Sequence, residues 1–172
     1  MRLLEIKEDG SLSLREYSPE DVLLYAILSH TWGADDQEIT FRDVQQHTGH
    51  HKDGYQKLTF CSQQAALDGL KHFWIDTCCI DKSNSQELQE AINSMFSWYR
   101  DANHCYVFLT DVHKNSSDDD DDDDRPSQVQ WEKAFKSSRW FTHGWTLQAL
   151  STLFLQSPNT TLIRHVGPPG TL

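Results

Sequence analysis

The chain is short of several things, and each shortage excludes a class of protein. It has four cysteines, Cys61, Cys78, Cys79 and Cys105, in 172 residues. None are spaced as CxxC and two are adjacent, which suits neither a disulfide framework nor a zinc knuckle. They read as buried free thiols of a reducing compartment. Basic residues are also scarce: 15 Lys and Arg stand against 26 Asp and Glu, a formal charge of −11. Seven of those charges form the single run 118–124, so the rest of the chain carries −4 by subtraction. Neither value favours a nucleic-acid partner, which needs clustered Lys and Arg against phosphate. No apolar run approaches the roughly 18 residues that would span a bilayer. The opening MRLLEIKEDG turns acidic at once, unlike a signal peptide. The expectation is a soluble, cytoplasmic protein with no membrane span. One domain suits this length. The hydrophobic fraction is only 37%, but six Trp, eight Phe and five Tyr supply bulky core material.

What is present alternates between apolar runs and amphipathic stretches. Residues 1–17 read as an edge hairpin around Glu8-Asp9-Gly10. Residues 22–29, VLLYAILS, form a continuous apolar run, the pattern of a central parallel strand covered on both faces. Residues 34–53 are polar and irregular, with a short strand or turn at 39–44 and exposed histidines at His47, His50 and His51. No metal site is expected there, because no acidic or thiol partner is well placed. Tyr55, Leu58, Cys61 and Ala65 mark one face of a helix over 55–70, with Gly69 weakening its last turn. Residues 73–80 read as a second buried strand, and a capping box at Ser83–Gln86 opens the next helix. Leu88, Ala91, Ile92, Met95 and Tyr99 form that helix's core stripe. A third strand follows at 105–109. Residues 114–128 hold the aspartate run and read as a disordered acidic loop. Short helical pieces over 129–150 and a fourth strand at 152–155 complete a domain of residues 1–156, and 157–172 form a weakly structured tail. The fold expected is α/β: a flavodoxin-like parallel sheet flanked by helices, with an N-terminal hairpin.

Polar side chains gather where two of the apolar runs end. Ser29, His30, Thr31, Trp32 and Gly33 follow the first strand, at the carboxyl edge where open α/β sheets bind ligands. His30 alone reads first as a hydrogen-bonded loop histidine, and second as a site residue. Asp76 interrupts the second strand and Asp81 closes it. A carboxylate there is costly unless it is paired or faces a cleft. For Asp76 two readings stand: a structural bond to a loop amide or to Arg139, or a place in the site. Glu87 reads first as a first-turn charge favoured by the helix dipole, and second as a catalytic acid.

Three stretches, YAILSHTWG, WIDTCCIDKSNSQELQEAINSMFSWYRDA and SRWFTHGWTLQAL, closely resemble the fungal heterokaryon-incompatibility (HET) domain, in the family's order, from about Arg2 to Leu155. The resemblance implies a part in allorecognition and programmed cell death. It implies an architecture like that of Toll/interleukin-1 receptor (TIR) domains, some of which hydrolyse NAD at the bond to nicotinamide. It therefore implies NAD as substrate or ligand, with no other cofactor required. Trp32, Trp74 and Trp145 are then candidates to stack the rings, and Arg139 and His143 to line the site. The family's usual ending is close to RGWTLQEL. Here it reads His143-Gly144-Trp145-Thr146-Leu147-Gln148-Ala149-Leu150. Ala149 stands where the family has the glutamate that aligns with the TIR catalytic residue. Alanine moves no proton and holds no hydroxyl, so the resemblance implies weak or absent catalysis in this chain, and leaves enzymatic activity open. Two further readings follow. One is a non-enzymatic module that signals by self-association or through other HET or NLR-type proteins. The other is a C-terminally shortened relic without activity.

Overall fold

The structure, a computed structural model, describes residues 1–18, 20–21, 23–112, 133 and 135–142. The apolar run after residue 22 becomes strand β3, Tyr25–His30, and all six of its residues are buried. It lies between β4, His72–Trp74, and β5, His104–Phe108, parallel to both. Continuous apolar character is what a strand covered on both faces requires. The N-terminal hairpin, β1 (Arg2–Ile6) and β2 (Leu12–Glu16), joins the sheet with β1 antiparallel to β4. Five strands result among the described residues, in the order β2-β1-β4-β3-β5. The three parallel strands, numbered by their own sequence, run 2-1-3, as a flavodoxin-like sheet begins. The hairpin is therefore an edge ribbon with only β2 at the margin. The fourth strand expected at 152–155, the acidic loop at 114–128 and the tail at 157–172 lie outside the described residues.

Helix α2, Tyr55–Leu67, packs on this sheet through Leu58, Cys61 and Ala65. It ends three residues earlier than the pattern predicts. Gly69 takes a φ of +74°, Leu70 N–H donates to Ala65 O and Gly69 N–H to Ala66 O. That is a Schellman ending, so the glycine stops the helix rather than weakening it. The start of α2 also depends on glycine. A Cβ on Gly54 would come within 2.8 Å of the Gln37 carbonyl oxygen and 2.9 Å of the Ile39 nitrogen, both backbone atoms that cannot give way.

Four further expectations need correction. Residues 39–44 are neither strand nor turn: Thr40 and Asp43 form a reciprocal capping box that opens helix α1, Phe41–Gln46. The second strand does not run to residue 80. It stops at Trp74, Ile75 caps a single helical turn, α3 (Asp76–Cys79), and Asp76 leaves the sheet plane there. Helix α4, Ser85–Asp101, is capped by Asn84, whose side chain accepts from the Gln86 and Glu87 amides. Ser83 instead donates to Asp81. The α4 stripe is core only in part. Ala91 and Met95 are buried, Leu88 and Tyr99 are half-buried, and Ile92 is 37% exposed. The core itself centres on Trp74, Phe73, Tyr106 and Ile27, each 1% exposed or less. Side chains of this size contribute about 1.5–3 kcal/mol apiece when fully buried.

Candidate functional site

At the carboxyl edges of β3 and β4 the chain leaves the sheet in two loops, and α4 forms the far wall. Between them lies a cleft of about 970 Å³. That is near the top of the ~300–1,000 Å³ range of small-molecule sites. Ser29, His30, Thr31 and Trp32 line it from β3, and Asp76 and Asp81 from the segment after β4. The structure thus brings together six of the residues picked from sequence.

Asp76 is the hub. One carboxylate oxygen, Oδ2, accepts from the Trp32 indole N–H at 2.8 Å and lies 3.7 Å from the Lys82 ammonium. The other, Oδ1, is 3.6 Å from Nε2 of His30. Among the described residues, neither Arg139 nor a loop amide bonds to it. The Lys82 ammonium sits 4.0 Å above the centre of the Trp32 ring, in cation–π contact. His30 Nε2 is buried and has no hydrogen-bond partner among the described residues. Burial pushes the imidazole below its ordinary pKa, and the nearby Asp76 charge opposes that. His30 is therefore a neutral ring beside a carboxylate.

A second network fixes the loop that carries these groups. The Glu38 carboxylate accepts from the Gly33 amide at 2.6 Å and from the Lys57 ammonium. Lys57 also donates to the Thr31 carbonyl at 2.9 Å. Gly33 sits at this junction. Behind Glu38, Lys52 donates to the Glu38 carbonyl and to Asp43, whose side chain closes the α1 cap. Sequence reading missed Glu38 and Lys57. The signal was there: Lys57, Phe60 and Gln64 adjoin the apolar face of α2, and a lysine on a buried helix face needs an acid.

The Ser29 hydroxyl is already engaged. It accepts from the Trp140 indole N–H at 3.1 Å. Trp140 belongs to a 3-10 turn, Arg139–Thr142. Asp111 holds that turn by accepting from the Ser138 hydroxyl and the Arg139 amide. Partial burial pushes the Asp111 carboxyl up, but the bonds from the Arg139 amide and the Ser138 hydroxyl together outweigh it and hold the carboxyl below its ordinary range. Arg139 is exposed on this turn. Glu87 does not line the cleft: its carboxylate accepts from the Asp81 amide at 2.8 Å and pairs with Arg2. Trp74 is 1% exposed and packs against Trp98 and Tyr99, which removes it as a stacking surface. His143, Trp145 and Ala149 lie outside the described residues. Cys78 and Cys79 lie beneath the cleft, both buried. His47, His50 and His51 are exposed, as expected.

The comparisons agree with the motifs. The family model described as "Heterokaryon incompatibility protein (HET)" matches residues 25–149. The chain is 54% identical over 151 residues to Vegetative incompatibility protein HET-E-1 of Podospora anserina. That match covers 87% of this chain and 11% of the relative, so the chain spans about a tenth of the relative's length. No solved structure matches. From the family match over its central 125 residues and this relative, the chain belongs to the heterokaryon incompatibility (HET) family.

Proposed function

We propose that this HET domain acts in fungal incompatibility signalling and that its cleft is a TIR-like site for NAD, impaired in catalysis because Ala149 replaces the family glutamate. The observation that carries the reading is the convergence of Trp32, His30 and Asp76 at the carboxyl edge of the parallel strands. An exposed indole offers a face for a planar ring, and a carboxylate suits sugar hydroxyls or a developing positive charge. Cleavage of the bond to nicotinamide needs a carboxylate at the reacting carbon. Among the carboxylates that line the cleft, Asp76 stands beside both Trp32 and His30 and is the candidate for any residual activity, whereas Glu87 is tied to Arg2 and Asp81 outside it. NAD turnover by this chain beside Ala149→Glu tests the proposal. Little or no hydrolysis is expected in the first and clear hydrolysis in the second. A folded Ala149→Glu protein that leaves NAD intact overturns the enzymatic reading.

One observation favours a second reading, a non-enzymatic module that works by self-association or with other HET or NLR-type proteins in the cytoplasm. Ile92 and Phe96, four positions apart on α4, are 37% and 43% exposed. Light scattering over a concentration series tests it. A strict monomer at every concentration, with and without NAD, counts against it.

A further inference from the structure

Trp32 is 46% exposed, yet one face of its ring is covered by a side chain of the same domain. The covering group is the Lys82 ammonium, 4.0 Å from the ring centre and 3.7 Å from Asp76 Oδ2. The ring's electron-rich face and the carboxylate together attract a positive charge, which is how aromatic sites recognise organic cations. The indole N–H donates to the same carboxylate, so ring and charge are fixed to each other. The carboxylate is also poorly compensated. Its Oδ1 has no hydrogen-bond donor within reach among the described residues, and neutral His30 stands 3.6 Å away. Lys82 itself is weakly held. Its side chain is 42% exposed, and neither contact is a hydrogen bond within normal range. An ammonium with that exposure returns to water at little cost.

We propose that the Trp32 face and the Asp76 carboxylate form a subsite for a planar organic cation, which Lys82 occupies in the free domain and vacates on binding. The ligand's natural identity rests on the NAD reading above: the oxidised nicotinamide ring is a pyridinium cation, and its reduced form is neutral. The subsite therefore distinguishes the two redox states of the dinucleotide. Lys82 acts as an internal competitor. Removing its charge opens the subsite, which is the opposite of what a ligand-binding lysine would show.

The test uses the full chain labelled with 15N at its indoles, with binding read from the Trp32 indole N–H resonance. The probes are 1-methylnicotinamide, a cation, against neutral nicotinamide, and NAD against NADH. The cation is expected to bind about tenfold more tightly than its neutral counterpart in each pair, within the range of a desolvated cation–π contact. Lys82→Gln is expected to tighten cation binding by about threefold or more while leaving the neutral probes unchanged. Asp76→Asn keeps an acceptor for the indole and is expected to abolish the discrimination. Equal binding of the charged and neutral probes, or weaker cation binding in Lys82→Gln, overturns the inference. If NAD and NADH bind equally well, the NAD reading stands and the cation subsite falls. If 1-methylnicotinamide binds selectively and NAD does not bind, the subsite stands and the NAD reading falls. No response to any probe removes both.

Discussion

Lys57 of α2 and Glu38 of the loop after β3 form a buried ion pair, 5% and 7% exposed, and between them they hold both ends of the Thr31–Gly33 segment. Burying two charges is expensive, and only the close pairing and the added backbone bonds offset it. Lys57→Met leaves the Glu38 carboxylate buried with the Gly33 amide alone. The expected loss is about 3–5 kcal/mol of unfolding free energy in a urea titration. Adding Glu38→Gln removes the stranded charge, and the double variant should be more stable than the sum of the single losses by about 1–3 kcal/mol. Additive losses would mean that the pair does not act as a unit.

The four thiols are chemically quiet for a physical reason. Burial pushes Cys61 and Cys78 well above the usual thiol range and brings Cys79 and Cys105 to about 12. The thiolate is the reactive form, so a native thiol is both inaccessible and protonated. A disulfide reagent added to the native protein at pH 7.5 should label none of them within minutes, and labelling should keep pace with unfolding in denaturant. Fast labelling of Cys78 or Cys79 in the native state would mean that the cleft floor opens on its own.

Much of this was legible in the chain because periodicity reports burial. The run at β3 suited an interior strand, which put the polar residues at its end at the carboxyl edge of the sheet. What escaped was local geometry that hydrophobic pattern does not encode. Residues 73–80 are apolar enough for one long strand, but the backbone turns after Ile75, whose carbonyl accepts from the Cys78 and Cys79 amides, and Asp76 there bonds to Trp32, 44 positions away in sequence. The Thr40–Asp43 cap looked like a turn because its helix is only six residues long. The α4 stripe looked like core throughout, and periodicity alone does not separate a face against the sheet from a face against a cleft. The place of Lys57 beside the buried face of α2 called for an acid, but the pattern did not say which acid, and Glu38 lies 19 positions away in an irregular loop.

Trp140 ties the 3-10 turn to β3 through one hydrogen bond, indole N–H to Ser29 hydroxyl, with both side chains about 1% exposed. Trp140→Phe keeps an aromatic ring but removes the donor and leaves space. A loss of about 1–3 kcal/mol is expected. Ser29→Ala removes the acceptor of this bond and should cost a similar amount. The double variant should cost less than the sum, read by chemical denaturation. The same variants should broaden the Phe135 and Phe141 side-chain signals, since those rings pack edge-on with each other and Phe141 with Trp140.

Stability should fall as the solution is acidified below neutrality, and His30 is the first cause. Burial lowers its folded pKa below the ordinary 6.5, with Asp76 and Glu38 opposing and Lys57 and Lys82 reinforcing the shift. Below pH 6.5 the unfolded chain therefore takes up a proton that the folded chain refuses. The stabilisation is complete above about 6.5 and is lost as pH falls toward the folded pKa, with a slope of up to about 1.4 kcal/mol per pH unit for one proton. Asp43 acts in a separate window. Partial burial would raise its pKa, but Lys52 and Thr40 outweigh that and bring it to about 2. Its contribution is present above 3.8 and lost as pH falls through about 2. Unfolding free energies measured from pH 8 to 5 should thus slope downward in the native sequence and flatten by one proton's worth in His30→Gln. An unchanged slope in that variant would show that His30 exchanges its proton as freely in the fold as out of it.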